Sequence, residues 1–173
     1  NIRSYCVIAE EAFIAAISSS RSQHHSIDWD GWRAVLVTEE RAGGIVLSSK
    51  RGGAAPETVL RESVLRRIRR QGMDILPWRD DDEAAERFRI RCAFFADAKQ
   101  NSGRFALDSL ERETDVWLLP VINTAGEIIT SETLIAGLKL RLGYEHLAEL
   151  EATVPEYYRL PSGNRCRVDY SGP

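Results

Sequence analysis

The stretch Val154–Tyr170, VPEYYRLPSGNRCRVDY, decides how this chain is read. Tyr157–Leu160 is rich in aromatic and apolar residues that suit a pleated, half-buried surface. Pro161, Ser162, Gly163 and Asn164 then supply turn chemistry: a fixed φ at Pro161, tolerance of positive φ at Gly163, and side-chain-to-backbone bonding at Asn164. Past the turn the pattern alternates. Cys166, Val168 and Tyr170 point one way, Arg165, Arg167 and Asp169 the other, as in a strand with one face on a core and one in water. The chain is therefore expected to finish in an antiparallel hairpin packed on the helices before it.

Those helices are legible by their spacing. Ser131 opens one with Leu134, Leu138 and Leu142 in line and Gly143 as its stop; Leu147, Leu150 and Val154 continue the apolar series to Pro155. Asn123–Gly126 has turn composition, and Leu107–Leu119 is expected to be a short helical region. Glu83–Ala98 is a long amphipathic helix with Ala84, Ala85, Phe88, Cys92 and Phe95 inward and Arg87 and Arg91 on a shared outer face. Asp80 and Glu83 have capping-box spacing at its start. Trp78, after Leu76-Pro77, is expected to be a core residue joining two helices.

Pro56–Gln71 carries the strongest helix pattern, with Pro56 at the first helical position and Gly72 at the stop. Leu60, Val64, Leu65 and Ile68 form its apolar stripe. Arg66 and Arg70 lie a turn apart on the opposite side, flanked by Arg67 and Arg69. Such a cluster is either a solvated face that complements the negative end of the helix dipole or a patch that tracks phosphates.

Toward the amino end, Cys6–Ile17 has helical spacing and Ser18–Ser26 the composition of a polar loop. His24 and His25 fall in that loop with no second ligand cluster, so a metal site is not expected there. Trp32–Thr38 and Gly44–Ser49 form a hairpin around Glu39–Gly43, whose further partners are expected before residue 1. The fold class is thus α+β: an N-terminal β-hairpin, a central helical bundle and a C-terminal antiparallel hairpin packed on the helices.

Composition narrows the function. A net charge of −3 over 173 residues excludes a uniformly basic coat, so any nucleic-acid contact has to come from a local patch. Cys6, Cys92 and Cys166 are odd in number, widely spaced and without a CxxC, which fits buried thiols in a reducing, cytoplasmic setting. No apolar run approaches the ~20 residues needed to cross a bilayer. Asn1 is not methionine and Pro173 directly follows a strand pattern, so both ends are expected to continue in a longer chain.

Catalytic motifs are not found. Gly43-Gly44 and Gly52-Gly53 are not followed by the Gly-Lys-Ser/Thr that brings backbone N–H groups and a lysine onto phosphates. Asp80-Asp81-Asp82-Glu83 lacks the histidine of a metal- and water-positioning run. No Ser/His/Asp, Cys/His or HExxH set has usable spacing, so no catalytic residue, metal or cofactor is expected within this chain.

Four motifs in order carry a resemblance. They are Gly72 with Leu76-Pro77-Trp78; Arg89, Arg91, Phe94 and Phe95; Trp117-Leu118 with Pro120; and Leu150, Pro155, the pair Tyr157-Tyr158, Pro161-Ser162-Gly163 and Asp169-Tyr170. Together they resemble the C-terminal region of HrpB-type ATP-dependent helicases, a bacterial branch of the DEAH-box RNA helicases. The likeness spans about residues 57–170 and departs at Phe95, where the family has Leu, at Glu151, where it has Asp, and at Leu119–Ile122, which lacks a polar break. It implies that residues 1–52 are the tail of an OB-like region and residues 53–173 a C-terminal domain lacking its last strand. It also implies a parent with an upstream ATP- and magnesium-dependent motor. The role implied for this part is non-catalytic: it would hold RNA or single-stranded nucleic acid, or dock on the motor. The contact residues would be Arg66, Arg67, Arg69, Arg70, Arg165 and Arg167. The alternative is a protein-interaction scaffold in which those arginines are solvated or meet partner carboxylates.

Overall fold

Ten mostly polar residues, Arg21–Asp30, form the first strand, β1, in a computed structural model that describes residues 20–122 and 129–172, together with 12, 15 and 18. The helix expected over Cys6–Ile17 lies largely outside the described residues, and the turn expected over Asn123–Gly126 lies wholly outside them. β1 pairs antiparallel with β2 (Arg33–Ala42), and β2 with β3 (Ile45–Arg51), in the order β1-β2-β3. The expected hairpin is present as β2 and β3, and the further strand that pairs with it, β1, lies at Arg21–Asp30 rather than before residue 1. The Ser18–Ser26 segment, expected to be a loop, is mostly strand. Its polar sequence concealed it because β1 is an edge strand fixed by cross-strand pairing more than by burial; His25 Nδ1, for example, lies 3.2 Å from Thr38 Oγ1. Both tight turns start on a left-handed glycine, Gly31 and Gly43, each at φ 57°.

The sheet turns Trp29, Trp32, Ala34 and Leu36 toward the helices, in one hydrophobic cluster with them. Trp29 Nε1 donates to Ser63 Oγ at 3.0 Å and Trp32 Nε1 to the Ile75 carbonyl at 2.8 Å. The chain crosses to α1 (Glu57–Gln71) through Gly52–Ala55. Leu60, Val64 and Ile68 are its buried stripe, as their spacing predicts, while Pro56 sits one place earlier than expected, at the cap.

Helix α2 (Asp80–Ala98) buries Ala85, Phe88, Cys92 and Phe95, with Ala96 and Arg91 besides. The capping box expected at Asp80 and Glu83 is not formed. Asp81, Asp82 and Glu83 have left-handed backbone, φ 50–57°, so the first turn lacks the geometry in which a Glu83 carboxylate would reach back to the cap N–H. That conformation costs roughly 1–3 kcal/mol per residue. Two tethers hold it: Ser131 Oγ donates to Asp81, and Asp82 accepts from Arg87 at 3.2 Å and Arg167 at 2.9 Å.

The region Leu107–Leu119 is two short helices, α3 (Leu107–Arg112) and α4 (Thr114–Trp117), broken at Glu113. Helix α5 (Ser131–Leu142) starts with a capping box in which Thr130 and Thr133 each accept from the other's backbone N–H, and α6 (Leu147–Thr153) follows. Trp117 is fully buried at the centre. It stacks on Trp78 with ring centroids 6.1 Å apart, and its Nε1 donates to the Leu110 carbonyl at 2.8 Å. Helix α5 crosses close to it: a Cβ at Gly137 would lie 2.7 Å from both a ring carbon and the carbonyl oxygen of Trp117, so only glycine fits without a shift.

Two of the described arginines are inside. Arg91, expected on an outer face with Arg87, is 5% exposed; its Nε donates to the Val154 carbonyl at 2.8 Å and its Nη2 lies 2.9 Å from Glu151. Helix α6 and the chain after it cover this side of α2, so one apolar stripe does not exhaust what α2 buries. Arg141 donates to the Arg104 carbonyl (3.0 Å), Glu113 (2.6 Å) and Ser109 Oγ (3.1 Å), while Arg104 donates back to the Arg141 carbonyl. These bonds hold the Glu113 carboxyl below its ordinary value of 4.5. A lowered carboxyl pKa stabilises the fold in full above 4.5 and loses that contribution as pH falls through the native value. The thermal midpoint is thus expected to fall as pH drops below 4.5, and less so in Glu113→Gln; equal acid sensitivity in the two proteins would contradict the assignment.

The carboxyl end is a two-stranded ribbon, β4 (Tyr157–Arg159) and β5 (Arg165–Arg167), closed by Leu160 N–H to the Asn164 carbonyl at 2.8 Å and Gly163 N–H to the Leu160 carbonyl at 2.9 Å. All six strand residues are exposed, so Cys166 is not the inward residue the alternation predicts. Packing begins only beyond β5: the Tyr170 ring lies 5.2 Å from Phe94 and its hydroxyl donates to the Pro155 carbonyl at 2.9 Å. The thiols differ accordingly. Burial pushes Cys92 up to about 12, whereas Cys166 stands in solvent. Alkylation of the native protein in mild alkali, followed by peptide mass mapping, is expected to modify Cys166 and spare Cys92 until unfolding; equal labelling would contradict the burial.

Candidate nucleic-acid interface

Four arginines fall within five positions at the end of α1, and the helical turn divides them among three environments. Arg66 and Arg70, one turn apart, line a groove of about 410 Å³ between α1 and β1, together with Arg67, Trp29 and Asp28. Arg66 and Arg70 pair with no carboxylate among the described residues. The groove's one acid, Asp28, is engaged elsewhere: it accepts from Arg51 and from the Trp29 backbone N–H.

Arg67 shares the groove but acts as a clamp. Its guanidinium lies 4.1 Å from the Trp32 ring centroid and 5.1 Å from that of Trp29; Nη1 donates to the Gly31 carbonyl at 2.6 Å and Nε to Gln71 at 3.3 Å. Burial lowers its pKa, and the charge persists at neutral pH because arginine does not deprotonate there. Arg69 faces the other side of α1, in a separate groove with Glu111, Arg112 and Asp115.

Arg165 and Arg167 are together on the terminal ribbon, 5.2 Å and 5.5 Å from the Tyr157 ring centroid. Arg167 is pinned. It donates to the Tyr157 hydroxyl at 3.0 Å and to Asp82 at 2.9 Å, lies 3.9 Å from Glu156, and has its pKa raised by the tyrosine hydroxyl and by Asp82. Arg159, directly across from Arg165, was not among the residues expected at the site. The signal for it is in the sequence: two strands of three residues around a five-residue connection put Tyr157, Arg159, Arg165 and Arg167 on one face. What this set of groups can do chemically is grip phosphate, since guanidinium forks meet phosphate oxygens in pairs. Among the described residues no group of three or more His, Cys, Asp or Glu converges on a metal-sized site, and no helix is long and apolar enough to cross a membrane.

A three-stranded sheet on a helical core with a terminal two-stranded ribbon is the α+β class the sequence pattern predicts. Two crystal structures share the arrangement. The chain matches the Escherichia coli DExH-box NTPase HrpB at 21% identity and a TM-score of 0.55, covering 96% of this chain and 21% of that one. It matches the E. coli DEAH/RHA helicase HrpB at 20% identity and a TM-score of 0.54, over 87% of this chain and 20% of that one. The structural likeness thus falls on the same proteins as the sequence resemblance, and the chain spans about a fifth of their length. No family model and no curated protein matches the chain.

Proposed function

We propose that this chain is a non-catalytic accessory region of an ATP-dependent RNA helicase, with residues 53–173 as its C-terminal domain, and that it holds single-stranded nucleic acid by its backbone. The observation that carries the polyanion contact is the α1–β1 groove, in which Arg66 and Arg70 have no carboxylate partner among the described residues while the one acid lining it is paired with Arg51. The likeness in fold to part of HrpB supports the helicase setting. On this reading, ATP, magnesium and the motor belong to the parent protein, and the cytoplasm is where it works. Contacts of this kind position a strand without reading its sequence.

Anisotropy of a labelled single-stranded RNA titrated with the chain at several salt concentrations tests it. Weak binding is expected, with log K falling against log salt by about 0.7 per phosphate contacted, hence about 1.4 for the Arg66–Arg70 pair alone. Affinity indifferent to salt would overturn the phosphate contact, and ATP hydrolysis by the purified chain would overturn its non-catalytic role.

The pinned states of Arg67 and Arg167 favour a second reading for those two residues only. Each is already satisfied within the chain, by Trp29, Trp32 and Gly31 in one case and by Tyr157 and Asp82 in the other. They hold the scaffold on which Arg66, Arg70, Arg159 and Arg165 are displayed.

A further inference from the structure

The terminal ribbon contains an arrangement that its own stability does not explain. Arg159 and Arg165 are directly opposed across β4 and β5, on the same face. Like charges placed opposite one another in an antiparallel pair destabilise it. Only three residue pairs hold this ribbon, and all six residues are exposed, so it has little burial to set against that repulsion. Neither Arg159 nor Arg165 meets a carboxylate among the described residues. The acids nearby are engaged elsewhere: Asp82 and Glu156 with Arg167, and Asp169 with Ser171.

Tyr157 adds the second element. It sits on the same face, 38% exposed, with the guanidinium of Arg165 at 5.2 Å from its ring and Arg167 bonded to its hydroxyl. That contact restrains Arg165 before any ligand arrives. An unpaired guanidinium at an exposed ring, with a second directly across the ribbon from it, supplies the elements that non-specific single-strand binders combine: cationic contacts to the backbone and an aromatic surface for a base.

We propose that the face formed by Tyr157, Arg159 and Arg165 is a second polyanion site, separate from the α1–β1 groove, which takes phosphates of single-stranded nucleic acid between the two opposed arginines. The site deepens the accessory reading above but does not depend on Arg66 and Arg70. Its occupant is a single strand because unpaired bases are free to lie against Tyr157, whereas a duplex keeps them stacked. Bound phosphate would relieve the repulsion between Arg159 and Arg165, so ligand and ribbon would stabilise each other.

Arg165→Glu tests this with two readouts that move in opposite directions. The new carboxylate faces Arg159, so the thermal midpoint is expected to stay level or rise. At the same time the slope of log K against log salt for labelled oligouridylate is expected to become shallower by about 1.4, because Arg159 is drawn into the new pair as well. Arg159→Gln/Arg165→Gln removes both charges without a new pair and is expected to give the same loss of slope, which keeps the test valid should the first variant fold poorly. Unchanged binding in both variants would overturn the ribbon site. If Arg66→Glu/Arg70→Glu then weakened binding, the groove reading alone would stand. No binding by the wild-type chain would overturn both, and equal or tighter binding of duplex RNA would overturn the single-strand assignment.

Discussion

Trp117→Ala is expected to lower the unfolding free energy by about 3–5 kcal/mol, the range for deleting a large aromatic from a packed core. Three losses combine. The indole is fully buried and stacks on Trp78, its Nε1 holds the Leu110 carbonyl, and helix α5 approaches it so closely that residue 137 has to be glycine. A cavity there has stiff walls, because the backbone of α5 rather than a flexible side chain lines one side. Urea unfolding followed by far-ultraviolet circular dichroism measures the change. A loss under about 1 kcal/mol, the scale of an ordinary surface substitution, would mean that Trp117 is not the keystone of the core.

Arg141→Ala is expected to have the next largest effect, about 2–4 kcal/mol, since it leaves the buried Ser109 Oγ without its donor at roughly 1–3 kcal/mol and removes the part-buried bond to the Arg104 carbonyl, worth about 1 kcal/mol. Glu113 adds little to that figure because it is half in water and rehydrates once released. The same unfolding experiment on Arg112→Ala, whose pair with Asp108 is exposed, is the control and is expected to change stability by under about 0.5 kcal/mol. Equal effects of the two substitutions would contradict the distinction between the inner and outer arginines.

The motifs that carried the family resemblance turn out to be contact residues. Trp78 and Trp117, from two of the motifs, stack on each other; Arg91, from a third, donates to the Val154 carbonyl beside the fourth. Glu151, where the family has Asp, meets Arg91, so the departure keeps a carboxylate in place. Each of these residues is thus held by a contact to a distant part of the chain.

What escaped the sequence has one physical cause, that a residue's type does not report its neighbours. β1 is polar because it lies at the sheet edge, so periodicity did not separate it from a loop. Arg91 and Arg141 have the composition of a surface and lie inside, because carbonyl groups at the ends of other elements accept their donors. At the candidate interface the cluster Arg66–Arg70 was legible, but its division was not. The aromatic segment Trp29–Trp32 engages Arg67, and the register of the ribbon sets Arg159 directly across from Arg165.

The most direct test of the central claim, that a built basic groove lets this chain grip a nucleic-acid backbone without chemistry of its own, compares the salt dependence of RNA binding in the wild type and in Arg66→Glu/Arg70→Glu. The wild type is expected to bind more tightly at low salt and to show the steeper dependence, by about 1.4 in slope, with both proteins unfolding at the same urea concentration. Superimposable isotherms for the two proteins, at every salt concentration, would contradict it.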